Sequence, residues 1–85
     1  MEIIILPEAD QHLNFWKKTG NKQVLKRISI LISSILETPF EGIGKPEALK
    51  YELSGKWSRR IDKENRIVYA IIGNILYIYS LKGHY

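Results

Sequence analysis

The sequence predicts an α+β fold, with helices in its first half and a meander of antiparallel strands in its second. Three observations carry this prediction. Residues 22–37 repeat apolar side chains at helical spacing, and from residue 50 onward short β-branched and aromatic runs are divided by turn residues. The two textures also follow one another rather than alternate, as in α+β proteins.

Taken in order, "EIIIL" reads as a short buried strand, being brief, apolar and β-branched. Pro7 suits the first turn of a helix, and Glu8 and Asp10 are favourable near that helix's positive end. Leu13, Phe15 and Trp16 supply apolar surface up to Lys18. In "TGN", Gly20 can close the first helix and Asn21 can cap the second. From Lys22 to Glu37, Val24, Leu25, Ile28, Leu31, Ile32, Ile35 and Leu36 form one stripe, leaving Lys22, Lys26 and Ser33 outside it. So short a connection predicts an antiparallel helical hairpin. "TPF" ends the second helix, because proline disfavours α geometry in the residue before it. "FEGIGKPEALK" reads as a structured loop, and "KYEL", "KWSRRI", "RIVYAII" and "ILYIYSL" read as strands split by "SG", "DKEN" and "GN".

Eighty-five residues, 45% of them hydrophobic, suit a single domain spanning 1–85. The absence of cysteine excludes disulfides and thiolate metal sites. The start lacks a signal peptide's basic region and long apolar run, and no apolar stretch approaches the roughly 20 residues a bilayer requires. A cytoplasmic protein without a membrane partner is expected. The net charge of +4 points to an anionic partner.

Side chains suited to chemistry gather in the second half. Glu47 and Lys50 flank the loop's exit, Arg59 and Arg60 share a strand, Arg66 opens the next, and Lys82, His84 and Tyr85 close the chain. Trp57 stands two residues before the arginine pair, so cations for phosphates and rings for bases interleave. Whether His84 joins Arg66 depends on hairpin register. A two-residue "GN" loop pairs Ile72 with Ile75 and Arg66 with Leu81, which turns Lys82 and His84 away from Arg66's face. One bulge or a three-residue loop restores Arg66 and His84 to the same side, and Gly83 tolerates such a kink. Both registers remain open from the residues alone.

Several motifs occur together and in order: Thr38 to Gly42, Gly44 to Glu47, Leu53 to Gly55, Trp57 to Arg60, Arg66 to Ala70, and the terminal His84 and Tyr85. On these the chain resembles the Txe/YoeB family, toxins of bacterial toxin–antitoxin pairs within the RelE superfamily. The resemblance runs over essentially the full length. It is dense from Thr38 and thin in the first helix, with Ile5 and Leu6 where some members carry a tryptophan and a serine. It implies an N-terminal strand and a helical hairpin packed on a twisted, mostly antiparallel sheet of about five strands. It further implies ribosome-dependent cleavage of mRNA without a cofactor or metal. Its implied partners are the ribosome with its mRNA, a YefM/Axe-like antitoxin whose acidic C-terminal segment masks the basic face, and a second copy in a homodimer. Residue by residue, it implies Glu47 as general base, Arg66 as phosphate clamp and His84 as general acid. Tyr85 orients the RNA, and Lys50, Arg59, Arg60 and Lys82 belong to the basic RNA- and ribosome-binding surface.

The chemistry stands apart from the resemblance. Cleavage by RNA's own 2′-hydroxyl needs a base for that hydroxyl, positive charge at the phosphate and an acid for the departing 5′-oxygen. Ionised glutamate accepts a proton, arginine stays charged and grips two oxygens, and histidine titrates near neutrality, at about 6.5. Two rivals differ in what they need. A non-catalytic module that binds nucleic acid or antitoxin keeps the basic surface without the acid/base set. A metal-dependent nuclease needs clustered carboxylates or histidines, and His12 is distant in sequence from the other candidates.

Overall fold

The computed structural model describes residues 1–83. Strand β1 (Glu2–Ile5) leads into helices α1 (Pro7–Lys18) and α2 (Lys22–Glu37). Strands β2 (Glu47–Ala48), β3 (Trp57–Arg60), β4 (Arg66–Ile72) and β5 (Ile75–Ser80) come after them, with a 3₁₀ turn at Tyr51–Leu53. The five strands form one sheet in the order β1-β5-β4-β3-β2, antiparallel except for the parallel β1–β5 pair.

The helical hairpin forms as the local signals require. Pro7 opens α1 with Glu8 and Asp10 in its first turn, and Lys17 and Lys18 occupy its last. Gly20 takes φ +66°, a conformation that suits a residue without a Cβ. Asn21 then caps α2, its Oδ1 accepting from the Val24 amide at 3.1 Å. Val24, Ile28, Leu31 and Ile35 of α2 bury themselves against Ile67, Tyr69, Leu76 and Ile78 of the sheet, with Ala9 and Trp16 of α1 completing the core. One face of the sheet is thus covered. Alternation sends Arg66, Val68 and Ala70 to the other face.

Two expectations need correction, and one open alternative is decided. The "EIIIL" strand is not buried: Ile3 and Ile5 are 40% and 39% exposed, because β1 is an edge strand paired only with β5. "KYEL" is not a strand. The place beside β3 is taken by Glu47–Ala48, and the chain must then reverse between Leu49 and Lys56, whose backbones bond at 2.9 Å. The 3₁₀ turn performs that reversal, with Tyr51 at φ +58° and 92% exposed. Lastly, the open register resolves through a bulge inside the hairpin. Ile72 faces Ile75 and Tyr69 faces Ile78, but Val68 faces Ser80, so the irregularity lies at Val68/Tyr69 rather than at Gly83.

Candidate functional site

The sheet face away from the helices brings Glu47, Ser58 and Arg66 together. Cross-strand pairing sets Glu47 of β2 opposite Ser58 of β3, and Arg60 of β3 opposite Arg66 of β4. Arg66 Nη1 donates to Glu47 Oε2 at 3.3 Å and to Ser58 Oγ at 3.4 Å. Glu47 is 59% and Arg66 18% exposed, so the pair opens to solvent on the carboxylate side. An ion pair this accessible contributes about 0–1 kcal/mol, weak enough for an incoming phosphate to replace.

Glu47 reaches this position because the preceding loop is fastened from beneath. Arg59, fully buried, spreads its guanidinium under the loop. Nη2 donates to the carbonyls of Thr38 (2.6 Å) and Glu41 (2.9 Å), and Nη1 to the Ile43 carbonyl (3.3 Å) and Ser34 Oγ (2.7 Å). Nε donates to the Tyr69 hydroxyl (3.2 Å), which itself donates to the Pro39 carbonyl (2.7 Å). Burial pushes the Tyr69 pKa up, and the hydrogen bond and charge of Arg59 partly offset this. The Arg60 amide donates to the Gly44 carbonyl at 2.7 Å. Gly44 is required there. Its φ is +83°, and a Cβ would stand 2.9 Å from Leu31 Cδ2 and 3.3 Å from the Arg60 carbonyl oxygen.

Arg59 is therefore not part of the basic surface. Alternation explains the outcome: Trp57 and Arg59 pair with Tyr69 and Ile67 on the covered face, whereas Ser58 and Arg60 point the other way. Lys50 is exposed where the chain leaves β2, and Arg60 is exposed beside Arg66. Lys82 is exposed but turned to α1, its Nζ 4.6 Å from the Phe15 ring centre, and is not gathered with Glu47 and Arg66. His84 and Tyr85 lie outside the described residues. Gly83, just before them, is tied to the site's own strand: the Arg66 amide donates to its carbonyl at 2.8 Å, and its amide donates to Asn65 Oδ1 at 2.9 Å.

Two side chains here escaped the sequence reading. Ser58 completes the Glu47–Arg66 contact, and Lys56 lays its ammonium 4.2 Å from the Tyr79 ring centre. The period-two spacing of Lys56, Ser58 and Arg60 was the available signal.

Residues 6–85 match the model of a YoeB-like toxin of bacterial type II toxin–antitoxin systems. The chain belongs to the YoeB toxin family. It is similar to the YoeB toxin of Synechocystis, at 49% identity over 96% of this chain and 95% of that one. Among solved structures it resembles the YoeB/ParE toxin from Agrobacterium tumefaciens (TM-score 0.95, 36% identity, all of both chains). It also resembles the toxin of the heterotetrameric YoeB–YefM complex from Staphylococcus aureus (TM-score 0.90, 40% identity, 100% of this chain and 98% of that one). The Staphylococcus aureus YoeB dimer is equally similar, at TM-score 0.91 and 40% identity over the same shares. The family match takes in the helical hairpin, the fastened loop and every site residue named above.

Proposed function

We propose that this protein is the toxin of a type II toxin–antitoxin pair and acts as a ribosome-dependent mRNA endonuclease, cutting mRNA in the ribosomal A site and arresting translation. The observation that carries the reading is the Glu47–Arg66 contact of 3.3 Å on the open sheet face, with Gly83 bonded to the Arg66 amide. In the proposed reaction Glu47 takes the proton of the 2′-hydroxyl as its oxygen attacks phosphorus. Arg66 leaves Glu47 for the phosphate oxygens and holds the charge that develops on them. The bond to the 5′-oxygen breaks, and His84 gives that oxygen its proton. The products are a 2′,3′-cyclic phosphate and a 5′-hydroxyl. Lys50 and Arg60 bind flanking phosphates, Tyr85 orients the RNA, and neither metal nor cofactor takes part.

The antitoxin partner is inferred from the Staphylococcus aureus relative, which is solved with YefM, and a homodimer from that relative's dimeric form. An acidic antitoxin segment over Arg60 and Arg66 blocks the face RNA needs.

Mapping mRNA 5′ ends after incubation with ribosomes tests the reading. Wild type is expected to cut, while Arg66→Ala and His84→Gln each lose roughly 100-fold or more. Equal cutting by all three proteins refutes the assignment, and no cutting by wild type leaves the binding module.

A further inference from the structure

His12 and Trp16 stand one turn apart on α1, so they share a face. Both reach Leu81. The Leu81 amide donates to His12 Nδ1 at 3.1 Å, and Trp16 Nε1 donates to the Leu81 carbonyl at 2.9 Å. An amide can only donate, so Nδ1 accepts and the ring carries its proton on Nε2. Ser80 Oγ lies 3.4 Å from the same nitrogen, but its hydroxyl donates to the Lys82 carbonyl at 3.1 Å. Leu81 lies just past the end of β5 and is buried. Two side chains of a distant helix therefore take over the backbone pairing of a residue that has left its strand. Two residues on, Gly83 is tied to Asn65 and Arg66.

We propose that His12 and Trp16 are positioning residues, which from α1 set the path of residues 81–83 past Arg66. Simple attachment of α1 to the sheet does not need this arrangement, since Ala9 and Trp16 already pack in the core. The two hydrogen bonds instead act on the backbone of the segment whose Gly83 carbonyl accepts from the Arg66 amide. The catalytic consequence rests on the nuclease reading above, and the physical clamp does not.

The test compares His12→Leu, which removes the acceptor, with His12→Asn, whose side-chain oxygen can replace Nδ1. Amide hydrogen exchange in the full chain reads the clamp. Leu81 loses its own bond in His12→Leu, whereas Gly83 is bonded to Asn65 and reports whether loosening is transmitted. Exchange at Gly83 is expected to rise at least about tenfold in His12→Leu with Tyr69 unchanged, and to return to the wild-type rate in His12→Asn. In ribosome-dependent cleavage, kcat is expected to fall about 10- to 100-fold in His12→Leu with KM steady, and to recover in His12→Asn. Gly83 exchange that stays at the wild-type rate in His12→Leu, or an Asn variant as impaired as the Leu variant, overturns the proposal. If His12→Leu does not fold, Trp16→Phe carries the same comparison, since it keeps a buried ring without the N–H. Wild-type protein that cuts no mRNA refutes the nuclease reading alone, and Gly83 exchange still decides the clamp.

Discussion

Arg59 and Arg60 are chemically identical neighbours with opposite fates. Arg60 faces solvent beside Arg66, whereas Arg59 is buried under the loop that carries Glu47. Its charge is met by three carbonyls and two hydroxyls. Arg59→Met leaves those acceptors without donors. It is expected to destabilise the fold by about 3 kcal/mol in urea unfolding, where Arg60→Met changes little. Tyr69, in the same network, makes a prediction about pH. Its native pKa lies above the unfolded value near 10.0, so the folded state holds its proton more tightly. That stabilisation is complete below pH 10 and is lost as pH rises through the native pKa. Unfolding free energies from pH 9 to 11.5 are expected to fall less steeply for Tyr69→Phe than for wild type. Parallel curves would contradict this.

The elements divide into those set locally and those set by competition for a place. Helix α2 occupies the span its apolar period marks out, and Asn21 and Gly20 act where their chemistry suits them. "KYEL" has strand composition but no strand to pair with, since Glu47–Ala48 already lies against β3. "EIIIL" pairs as expected yet stays half-covered at the sheet's edge. The loop between α2 and β2 depends on backbone geometry more than on composition. Gly44→Ala forces a Cβ toward Leu31 and the Arg60 carbonyl at a left-handed φ. It is expected to cut kcat for mRNA cleavage about tenfold by displacing Glu47, with ribosome affinity held within about twofold. Unchanged cleavage kinetics would show that the loop does not position the carboxylate.

At the scale of the molecule, the two faces of the sheet differ in character. One face is sealed by the helical hairpin, while the other carries the half-buried Lys56 and Arg66 and the exposed Arg60. Among the described residues no helix is long and apolar enough to cross a membrane. With a net charge of +4, ribosome binding is expected to weaken steeply between 50 and 200 mM salt. Arg60→Ala should lower the slope of log K against log salt by about one, and Arg59→Met should leave it unchanged in protein that remains folded. Equal slopes for wild type and Arg60→Ala would remove Arg60 from the phosphate-binding surface.

The sequence by itself determined the α+β order, the helical hairpin and its caps, and the glutamate and arginine that meet on the sheet. These come from spacing, from turn chemistry and from motifs that keep their order along the chain. Only the tertiary structure decided that Arg59 is buried, that the hairpin bulges at Val68/Tyr69, that Ser58 joins the ion pair and that His12 holds Leu81. Each of these turns on which face a residue takes in the sheet, or on a contact between residues far apart in the chain. A single bulge reverses the facing of every residue beyond it, so no local pattern can supply that answer.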